Sequence, residues 1–271
     1  MARPMPRVGF GTYSDSDRHR WEERVRQALE IGYRHVDTAQ VYGNEEYVGA
    51  GIDSADVDRD DIFLATKVVH VDEPVPERDD IITAVDSCLD RLRTEYVDLL
   101  YVHWPAGSYD PRTTLEAFQE LYERGKTKHI GVSNFEPETL DVARDVLDAP
   151  IFANQVECHP LLQQEELREY AVNDDHWLIA HCPLARGDVV DVPELQTVAE
   201  KHDVSPAQVS LAWLLSKRNV AVIPKASSER HMRENWHARD LELEQADIDR
   251  IDAIERKHRH IDREYAPWND R

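Results

Sequence analysis

The sequence predicts an α/β fold, a (β/α)8 barrel of the TIM type forming one domain over residues 1–271, from three observations. Eight short β-branched runs recur along the chain, amphipathic charged stretches separate them, and polar residues stand where most runs end. A chain of 271 residues could hold one large domain or two small ones, and no low-complexity linker or composition break divides it.

In chain order the apolar runs are 8–10, 33–36, 62–65, 97–102, 129–132, 151–156, 177–180 and 220–223, each short enough for a buried strand. Helix-like stretches lie at 18–31, 78–92, 114–124, 137–147, 163–172, 192–201 and 206–217, with two more at 230–238 and 245–257 after the last run. Residues 239–271 are therefore expected as a C-terminal helix and a tail over the barrel. A doubly wound dinucleotide-binding sheet requires Gly-x-Gly-x-x-Gly after its first strand. Gly9-Phe10-Gly11 lacks the third glycine.

Followed to their carboxyl ends, seven of the eight runs finish on groups that ionise or hydrogen-bond: Asp37, Lys67, His103, Ser133-Asn134, Gln155, His181 and Lys225. In a barrel those ends converge on one rim, where such folds build their sites.

Composition narrows the partners. Acidic residues number 54 against 32 Lys plus Arg, a net charge of −22, and the basic residues divide into 7 Lys and 25 Arg. Such a chain repels nucleic acid and anionic lipid, so neither is an expected partner. No stretch is long and apolar enough for a membrane span, and no apolar run follows Met1-Ala2-Arg3-Pro4 to make a signal peptide. Three distant cysteines, Cys88, Cys158 and Cys182, suit a reducing cytoplasm better than a disulfide framework. The carboxylate-rich, Lys-poor balance suits a salt-loaded cytoplasm, where repulsion is screened within a few ångströms.

Asp37, Tyr42, Lys67 and His103 together are a proton-delivery unit for a carbonyl oxygen. A phenol titrates near 10, and acidifying it by two to three units takes roughly 3–4 kcal/mol. An ammonium about 4 Å away supplies that much at an effective dielectric of ~20. Lys67 is the expected ammonium, Asp37 keeps it charged, and His103 orients the substrate oxygen.

Longer phrases carry a resemblance. Gly32-Tyr33-Arg34-His35-Val36-Asp37-Thr38-Ala39, with Glu45 and Val48-Gly49 at their spacing, resembles the first signature of the aldo-keto reductases. The second is matched by Lys128-His129-Ile130-Gly131-Val132-Ser133-Asn134-Phe135, and Asn154-Gln155-Val156-Glu157-Cys158-His159-Pro160 is a further match. The resemblance runs from Val8 to Asn235. It implies a monomeric barrel reductase that holds NADPH across the rim and reduces an aldehyde or ketone, a small-molecule carbonyl substrate, with Tyr42 as the general acid. By the same resemblance Ser133, Asn134 and Gln155 hold the nicotinamide carboxamide, and Thr12 and Asp37 lie near the ribose and nicotinamide. Leu184 and Arg186 pass the pyrophosphate. Lys225, Ser227, His231, Glu234 and Asn235 serve the adenosine end, while Tyr13, Val41, His103, Trp104 and Phe135 face substrate.

Three departures qualify the resemblance. Ala226 replaces a usual Ser or Thr, and His231, beside Arg230, stands where the family usually has an arginine. NADPH is therefore expected over NADH by a reduced margin. His181 replaces a common tyrosine against the nicotinamide, and its protonation near pH 6–7 is expected to change cofactor affinity. Val69 stands where a second tryptophan is common, which implies a wider mouth. In the tail, Trp268 either folds over the rim or anchors a helix. His258-Arg259-His260 reads as a solvated patch, so no metal is expected.

Two other functions fit parts of the pattern. A catalytically weak nicotinamide-binding redox sensor keeps the fold without turnover, although the Tyr42–Lys67 pair argues for catalysis. A metal-dependent barrel hydrolase would use His103, His159 and His181 as ligands, but the HxH at the first strand is missing. If the acidic surface is an adaptation to salt, dialysis from molar KCl into low-salt buffer will lower the thermal midpoint and the activity. Unchanged values of both exclude it.

Overall fold

The computed structural model describes residues 5–13, 18–69 and 76–269. Its sheet has eight parallel strands in the order of the chain: β1 Phe10–Gly11, β2 His35–Asp37, β3 Phe63–Val68, β4 Leu99–Val102, β5 Ile130–Ser133, β6 Ile151–Glu157, β7 Trp177–His181 and β8 Val220–Val222. All eight fall on the predicted runs. The sheet curls until its ends meet, with Val8 bridging Val222 and the Gly9 N–H donating to Val222 O at 2.8 Å. Gly11 N–H also donates to Pro224 O at 3.2 Å. These bonds are consistent with the expected barrel.

Between the strands run α1 Trp21–Ile31, α2 Glu45–Asp53, α3 Arg78–Leu92, α4 Pro111–Glu123, α5 Pro137–Val146, α6 Glu165–Asn173, α7 Pro193–His202 and α8 Pro206–Ser216. After β8 come α9 Glu229–His237 and α10 Gln245–Asp252. Local chemistry sets their starts. Asp110 accepts the Thr113 N–H ahead of Pro111, and Ser205 forms a capping box with Gln208 ahead of Pro206. One helix is shorter than expected: α10 stops at Asp252, and residues 253–269 form a tail with a single short helical turn at Pro267–Asn269.

The helix α2 begins at Glu45, directly after the turn at Tyr42-Gly43-Asn44. Its glycines interrupt the amphipathic pattern because neighbouring backbone lies against them. A Cβ at Gly49 would meet Leu92 backbone at 2.8 Å, and one at Gly51 would meet Glu22 O at 2.6 Å. Behind the site, the buried Glu45 carboxylate accepts from Thr66 Oγ1 at 2.6 Å and from two Arg91 nitrogens at 2.9 and 2.6 Å.

Strand alternation divides the core in two. Phe63, Ala65, Leu99, Tyr101, Ala153, Ile179, Ala221 and Ile223 form one buried cluster, while Leu64, Leu100, Val132, Val156 and Leu178 join the helices in the other. The next steps of the first alternation are Asp37 after His35, Lys67 after Ala65, His103 after Tyr101, Gln155 after Ala153, His181 after Ile179 and Lys225 after Ile223. The polar rim is the apolar interior continued by two residues.

The tail is held at Glu157, the last residue of β6. Its carboxylate accepts the backbone N–H groups of His260 and Ile261, both at 2.7 Å, and pairs with His159 Nε2 at 2.9 Å. Beyond it, Tyr265 and Trp268 pack on Trp104 with ring centroids 5.3 and 5.8 Å apart. Charged acceptors of this kind stabilise by about 1.5–3 kcal/mol per bond. Glu157→Gln is expected to lose about 2–3 kcal/mol in urea unfolding and to speed proteolysis of the tail, whereas unaltered tail cleavage would contradict the anchor.

Candidate active site

A cleft of about 840 Å3 opens at the carboxyl ends of the strands. At its centre the Lys67 Nζ donates to Asp37 Oδ1 at 2.5 Å and to Thr38 O at 2.8 Å, with Lys67 only 1 % and Asp37 2 % exposed. Register explains the meeting. β2 and β3 are neighbours with Asp37 opposite Ala65, so Lys67 stands one alternation further along and reaches back across. Burial lowers the Lys67 pKa, and the Asp37 carboxylate opposes that shift.

From Asp37 the polar contacts continue around the rim. Gln155 Nε2 donates to Asp37 Oδ2 at 2.8 Å, and Ser133 Oγ donates to Gln155 O at 2.9 Å. Asn134, in the left-handed region at φ 65°, donates to His103 O and Ser133 Oγ, each at 3.1 Å. His181 Nε2 lies 3.3 Å from Asn134 Oδ1. A helical turn, Gln40–Tyr42, closed by the left-handed Gly43, presents Tyr42 above this network. Its ring packs edge-on to Tyr13 at 5.1 Å and to His103 at 6.0 Å, and Lys67 Nζ lies 5.2 Å from its centroid.

The structure thus brings Asp37, Tyr42, Lys67 and His103 together. Thr12, Tyr13, Val41, Trp104, Ser133, Asn134, Gln155, His181, Leu184, Arg186 and Lys225 also border the cleft. Phe135 does not: it is fully buried against Tyr109 at 5.5 Å. Val69 is likewise buried and lies off the cleft wall. Ser227, His231, Glu234 and Asn235 lie beyond the cleft, on α9 or just before it. Lys225 Nζ is 3.1 Å from Ser227 Oγ, and Arg230 pairs with Glu234 at 2.7 Å. Sequence reasoning missed Ile261 and Arg263, which line the cleft from the tail. Only the side-chain role of Glu157 as an acceptor, hidden within its motif, could have signalled them.

Two electrostatic expectations are corrected. The Tyr42 pKa is raised well above its ordinary value, first by burial, then by Asp37, Cys182 and Tyr13. The Lys67 charge is neutralised by Asp37 at contact distance, so a second group feels a buried dipole rather than a bare cation. His181 is pushed down to about 4 by burial and therefore stays neutral near pH 6–7.

One buried atom bears on a cofactor. Thr12 is fully buried and borders the cleft, yet its Oγ1 has no hydrogen-bond partner among the described residues. Buried hydroxyls are ordinarily satisfied, so this atom suits a polar ligand group. The amide and hydroxyl side chains of Ser133, Asn134 and Gln155 suit the same.

Residues 7–256 match the aldo/keto reductase family. The chain belongs to that family. It is 38% identical over 255 residues to the glyoxal reductase of Bacillus subtilis (strain 168), covering 94% of this chain and 91% of that one. It is 35% identical to the 9,11-endoperoxide prostaglandin H2 reductase of Trypanosoma cruzi (strain CL Brener), covering 92% and 88%. Among solved structures, the aldose reductase from Schistosoma japonicum superposes with a TM-score of 0.88 at 28% identity, covering 95% of this chain and 91% of that one. This aldo-keto reductase is therefore an oxidoreductase, of a family that uses nicotinamide cofactors. No helix among its described residues is long and apolar enough to cross a membrane. His103, His159 and His181 form no joint ligand group among the described residues.

The buried His176 and the half-buried His181 bear on stability in acid. His176 and His181 both titrate at about 4 when folded, against 6.5 for free imidazole. Between those values the unfolded chain binds more protons, so stability falls as pH drops from about 6.5 toward 4. The urea midpoint is expected to fall between pH 7 and 5, and less steeply in His181→Phe. Equal slopes in both proteins would place the His181 pKa elsewhere.

Proposed function

We propose that the chain reduces the carbonyl of an aldehyde or ketone to the alcohol on a closed (β/α)8 barrel, with Tyr42 as general acid and NADPH as the preferred cofactor. The observation that carries this reading is the Lys67–Asp37 pair buried beneath Tyr42 and His103 at the floor of a cleft bordered by Ser133, Asn134 and Gln155.

Bound nicotinamide supplies the hydride. Ser133, Asn134 and Gln155 would hold its carboxamide, with Thr12 and Asp37 beside the ribose, and Leu184 and Arg186 flanking the pyrophosphate. His103 orients the carbonyl oxygen toward the Tyr42 hydroxyl. A raised phenol pKa keeps that proton in place through neutral pH, and the proton leaves only when the substrate oxygen gains charge. Lys67 then stabilises the developing phenolate, held protonated for that task by Asp37.

NADPH is favoured because Lys225 offers a point charge, with Ser227 beside it, at the end of β8 where a 2′-phosphate would lie. The guanidinium of Arg230 is engaged by Glu234, and His231 is an exposed imidazole, so the margin over NADH should be modest. The second nicotinamide-binding reading, a redox sensor without turnover, draws no support from this intact proton-delivery geometry.

The deciding experiment follows oxidation of NADPH and NADH with a broad aldehyde such as 4-nitrobenzaldehyde. Tyr42→Phe is expected to lower kcat about 10²–10⁴-fold while changing KM little, and kcat/KM should be higher for NADPH. Full activity in Tyr42→Phe overturns the acid assignment, and equal kcat/KM values overturn the cofactor preference.

A further inference from the structure

Three histidines and two carboxylates gather away from the catalytic groups, where the tail crosses the end of β6. His258 and His260 come from the tail, Asp188 from the helical segment Ala185–Asp191, and Glu157 and His159 from β6 and the turn after it. The His258 and His260 rings lie 4.5 Å apart, while Arg259 between them turns to Trp268, its guanidinium 3.9 Å over the indole. Both histidines are fixed by their backbones: His258 N–H donates to Leu161 O at 2.8 Å, and His260 N–H to Glu157 at 2.7 Å.

Side-chain donors converge there. Nitrogen atoms of His258 and His260 and an oxygen of Asp188 all lie within 4.8 Å of one another, and His260 Nε2 is 3.5 Å from Asp188 Oδ2. His260 Nε2 is buried and makes no hydrogen bond among the described residues. Bonds of 2.0–2.2 Å to a tetrahedral ion put ligand atoms roughly 3.3 Å apart, so the His260–Asp188 spacing already suits one. His258 and Asp188 are exposed, so their side chains have room to turn toward an ion.

We propose that Asp188, His258 and His260 form a binding site for a divalent transition cation of the zinc class, joining the tail to the segment Ala185–Asp191. Two imidazoles and one carboxylate select such an ion over magnesium or calcium, which prefer oxygen ligands throughout. The inner group, Glu157 with His159, is the poorer ligand set, since the Glu157 carboxylate already accepts three donors. It serves instead as the anionic wall behind His260. This assignment replaces the sequence reading of a solvated patch, because the third ligand comes from 70 residues earlier in the chain and only folding supplies it.

The position gives the site a consequence. Arg186 and Gly187 line one side of the cleft, two residues or fewer from Asp188, and Ile261 and Arg263 line another, just after His260. An ion held by both would tie two cleft walls together, whatever carbonyl the enzyme reduces.

Chelator-treated full-length protein titrated with ZnCl2 by calorimetry tests the site. One saturable equivalent is expected, weakened at least tenfold in His258→Ala and in Asp188→Asn, and unchanged in His237→Ala on α9. Zinc should also slow amide exchange in the tail of the wild type but not of His258→Ala. Both ligand variants alter exposed side chains, and urea unfolding curves matching wild type will show that they fold. Absence of saturable zinc uptake, or uptake unaltered in His258→Ala, overturns the proposal.

Discussion

A lysine ammonium buried to 1 % exposure inside a sheet would lose its proton or unfold its surroundings unless an anion shared the site. In this protein Asp37 supplies that anion at 2.5 Å, and the rest of the cleft is arranged around the pair. The second Asp37 oxygen receives Gln155, the second Lys67 proton reaches Thr38 O, and Ser133 and Asn134 extend the bonding to His103. Removing either member would leave an uncompensated charge in the interior, a far larger loss than the pair's own net contribution.

The same pair redefines how the phenol works. A lysine beside a tyrosine invites the inference that the tyrosine is acidified. With the carboxylate in contact, the cation is largely cancelled at Tyr42, and burial governs: the phenol holds its proton more tightly. In the proposed role of general acid Tyr42 needs a proton to give, and the Asp37–Lys67 dipole would become useful when charge develops on the phenol oxygen.

The tail shows a second use of a buried carboxylate. Glu157 continues the inward alternation of β6 but turns to the backbone of His260 and Ile261, so one residue at a strand end fixes a segment lying a hundred residues away. Through it, Ile261, Arg263 and Tyr265 join the cleft wall, and Tyr265 and Trp268 close on Trp104. A wall formed by the tail rather than by the strand ends is free to vary without disturbing Asp37, Tyr42, Lys67 and His103.

The eight strands were legible because each is a short β-branched run whose inward residues repeat every second position, a pattern local chain chemistry sets. The polar rim was legible for the same reason: Lys67, His103, Gln155 and His181 each follow an interior residue by two. The extent of the helix at Glu45–Asp53 was not legible because Gly49 and Gly51 answer to neighbouring backbone, not to the helix's own pattern. Phe135 was misplaced because its motif gives its position but not the direction of its side chain. Sequence alone therefore determined the alternation, the strand ends and the polar residues that stand there. Tertiary structure decided the phenol's pKa, the neutrality of His181, the tail's place in the cleft and the meeting of Asp188 with His258 and His260. Those depend on burial and on distances between residues far apart in the chain, which local pattern does not encode.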